Sequence, residues 1–240
     1  MGRYSTRLAP KFSVFAAVGS GSRVVDVGAG TGALTSELVR LGASVAAAEP
    51  ADAFVEALRE RLPMVEVKAA AAEALPWSDS TFDAALSQLA VAFMRDPAAA
   101  VAEMRRVVRP GGVVAVCMWD RDRMEMLSAL RRAREALGAI DPTSEVGMRY
   151  RTRQELEDLF DDGFDDVAAK LMRVKAEYSG FEEFWEALRG GANQSGQWAA
   201  SLTGDARSEA QAEVSRQLGE PSGAFTLNAE AWAVRATVPL

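Results

Sequence analysis

The sequence predicts a doubly wound α/β fold around a seven-stranded, mostly parallel sheet, with a helical insertion before the last strand. Three observations carry that expectation. Seven short apolar runs recur along the 240 residues, stretches with helical periodicity separate most of them, and Gly- or Pro-containing turns punctuate the junctions. Parallel strands joined this way have right-handed crossovers, which lay helices on both faces of the sheet.

Taken in order, residues 5–18 place Leu8, Phe12 and Phe15 on one helical face, with Pro10 expected in a first turn, where a missing N–H is harmless. Gly19-Ser20-Gly21-Ser22 breaks that helix and delivers the chain to a first strand over 24–27. A glycine-rich turn then opens a helix over 33–41. After Gly42, residues 44–48 read as a buried strand ending in Glu49-Pro50, and Pro50 opens a helix over 51–61. Residues 65–69 alternate as a short third strand. Beyond a loop at 75–80, residues 81–88 form the fourth strand, and Asp96-Pro97 caps a helix over 98–108. Arg109-Pro110-Gly111-Gly112 reads as a stop and a turn. Residues 113–119 are continuously apolar, as in a strand buried on both faces.

The rhythm then loosens. A helix is expected over 124–137, a break at Asp141-Pro142, and a capping-box helix from Thr152-Arg153-Gln154-Glu155 to near Gly163. Residues 166–178 read as a strand, 181–189 as a helix, 190–204 as a Gly-, Asn- and Ser-rich connection, 205–218 as a polar helix and 225–238 as the last strand. One domain is expected, comprising a helical cover (1–22), a ligand-binding core (23–178), a helical insertion or lid (179–222) and a final strand (223–240).

Composition narrows the function. There is no histidine and one cysteine, Cys117, within an apolar run, so neither a disulfide framework nor a thiolate or imidazole metal cluster is expected. Net charge is −7; residues 1–150 carry 18 basic and 18 acidic side chains, whereas 151–240 carry 9 and 16. That acidity speaks against a nucleic-acid backbone as partner. No apolar run reaches membrane-spanning length and the start lacks a signal-peptide core, so a cytoplasmic protein is expected, as monomer or homodimer.

The most informative stretch is Val24-Val25-Asp26-Val27-Gly28-Ala29-Gly30-Thr31-Gly32-Ala33. Glycines at alternate positions permit φ > 0 and remove the Cβ atoms that would hold a ligand off the backbone. The free N–H groups at the start of the next helix point into the same crevice, which suits a nucleotide-like ligand. Gly28, Gly30 and Ala33 also satisfy the dinucleotide pattern G-x-G-x-x-G/A, so a nicotinamide oxidoreductase stays open at this point.

Further motifs stand in order: Glu49-Pro50 after the second strand, Ala72-Glu73-Ala74-Leu75-Pro76-Trp77 ahead of Phe82-Asp83, and Arg109-Pro110-Gly111-Gly112 before the fifth strand. With the glycine stretch they resemble the class I S-adenosylmethionine-dependent methyltransferases, most closely the small-molecule group called type 11, over residues 24 to about 119. The resemblance implies a Rossmann-like methyltransferase fold, S-adenosylmethionine as cofactor, S-adenosylhomocysteine as product, and a small-molecule partner. It implies that Gly28, Ala29, Gly30 and Thr31 underlie the methionine part, that Asp26 holds its ammonium, and that Glu49, followed by Pro50, accepts from both ribose hydroxyls. Ala72 and Glu73 would border the adenine. Ser87 and Gln88 would lie beneath the sulfonium, and Tyr4 and Arg7 would fold over the cofactor from the N-terminal segment. One departure stands out: the acid expected to receive the adenine amino group is Ala71, leaving Glu73 or backbone groups for that contact.

Methyl transfer from a sulfonium disperses charge, so it needs alignment and water exclusion more than an acid–base pair. No catalytic residue is singled out; Asp120, Glu125 and Glu186 are candidates for a base if a hydroxyl is methylated. Phe93, Met94, Trp119, Trp185 and Trp198 are candidates for the wall of an apolar acceptor pocket. A cofactor-binding protein without catalysis, in a regulatory or partner role, is the alternative.

Overall fold

A computed structural model describes residues 2–139, 149–160, 163–190 and 194–240. Its seven strands, β1 (Arg23–Val27), β2 (Ser44–Glu49), β3 (Glu66–Ala69), β4 (Phe82–Gln88), β5 (Val108–Asp120), β6 (Asp165–Tyr178) and β7 (Phe225–Thr237), form one sheet in the order β3-β2-β1-β4-β5-β7-β6. All neighbouring pairs from β3 to β5 are parallel, and β7 runs antiparallel to both β5 and β6. The doubly wound sheet is thus as predicted. The strand order reverses between β1 and β4, and a ligand crevice in such sheets opens beyond the carboxyl ends at that point.

Helices α1 (Gly2–Phe15), α2 (Ala33–Arg40) and α3 (Asp52–Arg61) accompany the first strands. Leu8, Phe12, Leu34 and Leu38 are buried in one core with Trp119 of β5, while Val55 and Leu58 of α3 close a smaller one against Ala47 and Val67. On the opposite face lie α4 (Pro97–Val107) and α6 (Arg153–Glu157), with Val101, Met104 and Leu156 packed on Val25, Ala85 and Val114. Each such fully buried side chain contributes about 1.5–3 kcal/mol relative to exposure. Local signals set the boundaries: Asp96 Oδ1 accepts the Ala99 N–H at 3.0 Å, and Thr152 and Glu155 form a capping box.

Four remaining helices were only partly anticipated. α5 (Glu125–Ala136) follows β5, and α7 (Phe181–Arg189), α8 (Gln194–Ser201) and α9 (Gly204–Gln217) stand between β6 and β7. They join the α1 face, where Met126, Leu130, Phe184, Trp185, Ala210 and Val214 belong to its core. α8 replaces the connection expected at 190–204. Its composition disfavours a helix, but Trp198 stands edge-on to Trp185 at 6.5 Å between ring centres, so tertiary packing decides.

Three other expectations change. Pro10 lies in the interior of α1, which starts at Gly2, not in a first turn; the proline costs about 3 kcal/mol, set against the complete burial of Leu8, Ala9 and Phe12 around it. Residues 109–112 belong to β5 as a bulge, because Gly111 N–H donates to Val238 O at 2.8 Å and Val238 N–H donates to Gly112 O at 2.9 Å. The helix expected to reach Gly163 ends at Glu157. The break expected at Asp141-Pro142 lies outside the described residues.

The bulge generates a test. A Cβ at Gly112 would lie 2.6 Å from Asp83 O and 2.9 Å from Arg109 O, both backbone atoms. Gly112→Ala is expected to lower stability by about 1–3 kcal/mol in urea unfolding; an unchanged midpoint would show that the bulge is not tightly packed.

Candidate functional site

The crevice at the reversal point is built by loops following β1, β2, β3 and β4. It encloses about 430 Å³ and is lined by Gly28, Gly30, Glu49, Pro50, Phe54, Ala71, Ala72, Glu73, Leu89, Ala90, Phe93, Met94 and Arg95. That volume suits a small organic ligand or cofactor. A larger groove of about 830 Å³ lies over α5, α9 and β7, where Arg123 and Arg173 both pair with Glu230. It has no glycine cradle, so the smaller crevice is the better candidate.

The glycine loop is fixed to the end of β2. Gly28 and Ala29 N–H donate to Ala48 O at 2.8 and 3.1 Å, and Gly28, Gly30 and Gly32 all have positive φ. Two of these positions need the missing side chain for different reasons. A Cβ at Gly28 would collide with the Ala90 methyl, whereas one at Gly30 would meet nothing within 4 Å and would project from the backbone into open space.

Glu49 ties the crevice together. Its Oε2 accepts the Gly30 N–H at 2.9 Å and its Oε1 accepts the Ala51 N–H at 3.0 Å, while the residue is buried. A carboxylate has about four acceptor sites, so these two bonds orient it without saturating it. A ligand bearing adjacent hydroxyls fits such an acceptor.

Asp26 lies beneath the loop, 1% exposed, with Thr35 Oγ1 donating to its Oδ2 at 2.6 Å. Burial pushes its carboxyl up to about 7; the Thr35 bonds oppose the rise and the Glu49 charge adds to it. Glu73 has another task. Its Oε1 accepts from the backbone N–H groups of Arg95 and Asp96 at 2.8 and 3.0 Å, clipping the β4–α4 connection in place. Burial alone would raise the Glu73 carboxyl, but those N–H donors hold it below the ordinary range. With Ala71 also on the wall, no carboxylate other than Glu73 lines that side of the crevice.

The expected residues therefore divide. Gly28, Gly30, Glu49, Pro50, Ala72 and Glu73 line the crevice together. Asp26 supports it from below, Ala29 packs against the small core of α3, and Thr31 is exposed with its carbonyl accepting from Arg61. Ser87 and Gln88 are buried at the end of β4; Gln88 Nε2 donates to Ser5 O of α1 at 3.1 Å. Tyr4 is buried edge-on to Trp119, and Arg7 donates to Lys175 O on β6, so neither lies on the crevice wall. Of the expected acceptor wall, Phe93, 83% exposed, and Met94 sit on the crevice, whereas Trp119, Trp185 and Trp198 belong to the α1-side core.

Sequence reading missed Phe54, Leu89, Ala90 and Arg95. Leu89 has φ +63°, an uncommon conformation for leucine, and no local pattern announces it. Among the described residues, no group of three His, Cys, Asp or Glu side chains could hold a metal ion, and no helix is long and apolar enough to cross a membrane.

Residues 25–116 match the family model described as a methyltransferase domain. An uncharacterized methyltransferase of Mycobacterium tuberculosis is 40% identical over 116 residues, which cover 48% of this chain and 46% of that protein. Demethylmenaquinone methyltransferase of Corynebacterium kroppenstedtii is 37% identical over 111 residues, covering 46% and 47%. The chain thus spans about half the length of the curated relatives it matches. Among solved structures, the phosphoethanolamine N-methyltransferase 2 of Haemonchus contortus, in complex with phosphomonomethylethanolamine and S-adenosylhomocysteine, superposes with a TM-score of 0.56. It is 14% identical, with 98% of this chain and 53% of that one covered, a likeness of fold.

Asp26 supplies a pH test. Its carboxyl titrates near 7 when folded and near 3.8 when free, so the folded state takes up a proton between those values. Stability should therefore fall as pH rises from 4 to 7. Asp26→Asn should flatten this part of the pH profile of urea midpoints; an identical slope in both proteins would place the Asp26 titration elsewhere.

Proposed function

We propose that this chain, a member of the class I S-adenosylmethionine-dependent methyltransferases through its residues 25–116, transfers a methyl group to a small, mainly apolar molecule. The observation that carries the reading is the joining of bare glycine backbone to a partly used carboxylate, Gly30 to Glu49, across one crevice. Adenosyl cofactors need both, a surface that admits close approach and an acceptor for paired hydroxyls.

The residues fit the cofactor. Glu49 would hold the ribose, the backbone at Gly28 and Gly30 the methionine part, and Phe54, Ala71, Ala72 and Met94 the adenine, with Asp26 supporting the loop. Bound S-adenosylmethionine supplies a methyl group on a sulfonium, which carries its own reactivity. The chain's share is then orientation and exclusion of water. Leu89, Ala90 and Met94 give an apolar wall, and α1, α5, α7, α8 and α9 share one core on one face of the sheet. No imidazole exists in the chain to act as base, which suits a transfer that builds up no charge.

A small apolar acceptor is supported by Leu89, Phe93 and Met94 on the crevice and by the relative named for demethylmenaquinone methylation. The net charge of −7 does not favour a nucleic acid.

The test is ligand binding. S-adenosylhomocysteine should raise the melting temperature and give measurable heat in calorimetry. Glu49→Ala should weaken its affinity at least about tenfold, the loss expected for charge-assisted hydrogen bonds. No binding of either S-adenosylmethionine or S-adenosylhomocysteine would refute the reading.

A further inference from the structure

Of the buried polar atoms without a hydrogen-bond partner on the α1 face, which include Ser13 Oγ and Trp185 Nε1, Gln88 Oε1 at the end of β4 and Trp119 Nε1 near the end of β5 belong to adjacent strands. Gln88 pairs in register with Cys117, so Trp119 lies two residues further along the adjacent strand and faces the same side. The two residues are 9% and 4% exposed. One atom is an acceptor and the other a donor. Burying each unpaired costs about 1–3 kcal/mol, and such atoms in a folded protein require an explanation.

Their surroundings point to a ligand. Gln88 Nε2 is fastened to Ser5 O, which fixes which amide atom is left over. Tyr4, next to Ser5, stands edge-on to Trp119 with ring centres 6.2 Å apart, and Tyr178 OH donates to Tyr4 OH at 3.5 Å. Aromatic rings thus flank the unpaired donor and acceptor beneath the first turn of α1. Leu89 separates this place from the glycine crevice. Its N–H donates to Cys117 O at 2.9 Å, and its positive φ turns the chain so that Leu89 lines the crevice while Gln88 stays under α1. Strain of this kind, about 1–3 kcal/mol, collects at functional sites.

We infer that Gln88 and Trp119 form the subsite for a neutral hydroxyl group of the methyl acceptor, carried on an apolar or aromatic body. The inference rests on the methyltransferase reading. A hydroxyl donates to Gln88 Oε1 and accepts from Trp119 Nε1 at once, satisfying both. A carboxylate would set an acceptor against Gln88 Oε1, and an ammonium would set a donor against the indole N–H. The nearby charges already have partners: Arg3, beside Tyr4 and Tyr178, pairs with Glu183, Arg7 donates to Lys175 O, and Asp26, the acid that acts on Cys117, accepts from Thr35. Burial pushes the phenols of Tyr4 and Tyr178 up and keeps them protonated, and Glu125, the carboxylate that acts on Tyr4, is already bonded to the backbone and side chain of Asn228. An unpaired buried charge is strongly disfavoured.

The test uses ¹⁵N-labelled protein saturated with S-adenosylhomocysteine and titrated with phenol, benzoate and benzylamine, one ring carrying a neutral, an anionic or a cationic group. Five tryptophans give five indole signals, and the spectrum of Trp119→Phe identifies the one from Trp119. Phenol should move that signal saturably and bind about tenfold more tightly than either charged probe. Gln88→Leu and Trp119→Phe should each lose about tenfold in phenol affinity, the scale of one buried hydrogen bond. If Gln88→Leu does not fold, Trp119→Phe decides. A Trp119 signal indifferent to phenol, equal affinity for a charged probe, or wild-type phenol affinity in Trp119→Phe would overturn the inference. Wild-type protein that fails to bind S-adenosylhomocysteine in calorimetry would instead refute the methyltransferase reading, and the phenol titration of the free protein would then decide the subsite alone.

Discussion

The hydrogen bond from the Gly30 N–H to the Glu49 carboxylate is the contact on which the crevice depends. It joins the turn after β1 to the end of β2, and the Gly28 and Ala29 bonds to Ala48 O reinforce the same seam. Parallel pairing of β1 with β2 places these ends side by side, from Arg23 opposite Ser44 to Val27 opposite Ala48. The carboxylate therefore faces bare backbone because of strand register, and register is held by apolar side chains buried on both faces of the sheet.

Stability and function pull in different directions around this seam. Asp26 is buried with one hydroxyl donor, Leu89 takes a left-handed backbone, and Gln88 and Trp119 each leave a polar atom unpaired. These features lie at the carboxyl ends of β1, β4 and β5, while the opposite ends carry left-handed backbone at Ala17 and Ser80 and the buried, unpaired Trp77 Nε1, beside pairs such as Arg109–Asp83.

The α/β core was legible in the sequence because strands covered on both sides read as unbroken apolar runs, such as 113–119, and because glycines and prolines marked their ends. What escaped depended on distant partners. Residues 109–112 read as a turn since their hydrogen-bond partner, Val238, is more than a hundred residues away. α8 was hidden by its Gly-Asn-Ser composition; packing of Trp198 on Trp185 and under Arg134, with Ala199 buried, explains it. Of the crevice lining, Gly28, Gly30 and Glu49 stood out in the sequence through their spacing. The wall from Leu89 to Arg95 did not, since Leu, Ala, Phe and Met serve equally well in any core. Tyr4 and Arg7, expected as a cofactor cover, pack against Trp119 and donate to Lys175 O respectively.

The central claim is that the Gly30–Glu49 seam is where an adenosyl ligand is held. The most direct measurement is a crystal structure of the protein with S-adenosylhomocysteine. The ribose hydroxyls should lie within about 3.2 Å of the Glu49 carboxylate oxygens, with the amino-acid end of the ligand over the backbone of Gly28 and Gly30. A ligand seated elsewhere on the chain, with Glu49 making only its bonds to Gly30 and Ala51, would contradict it.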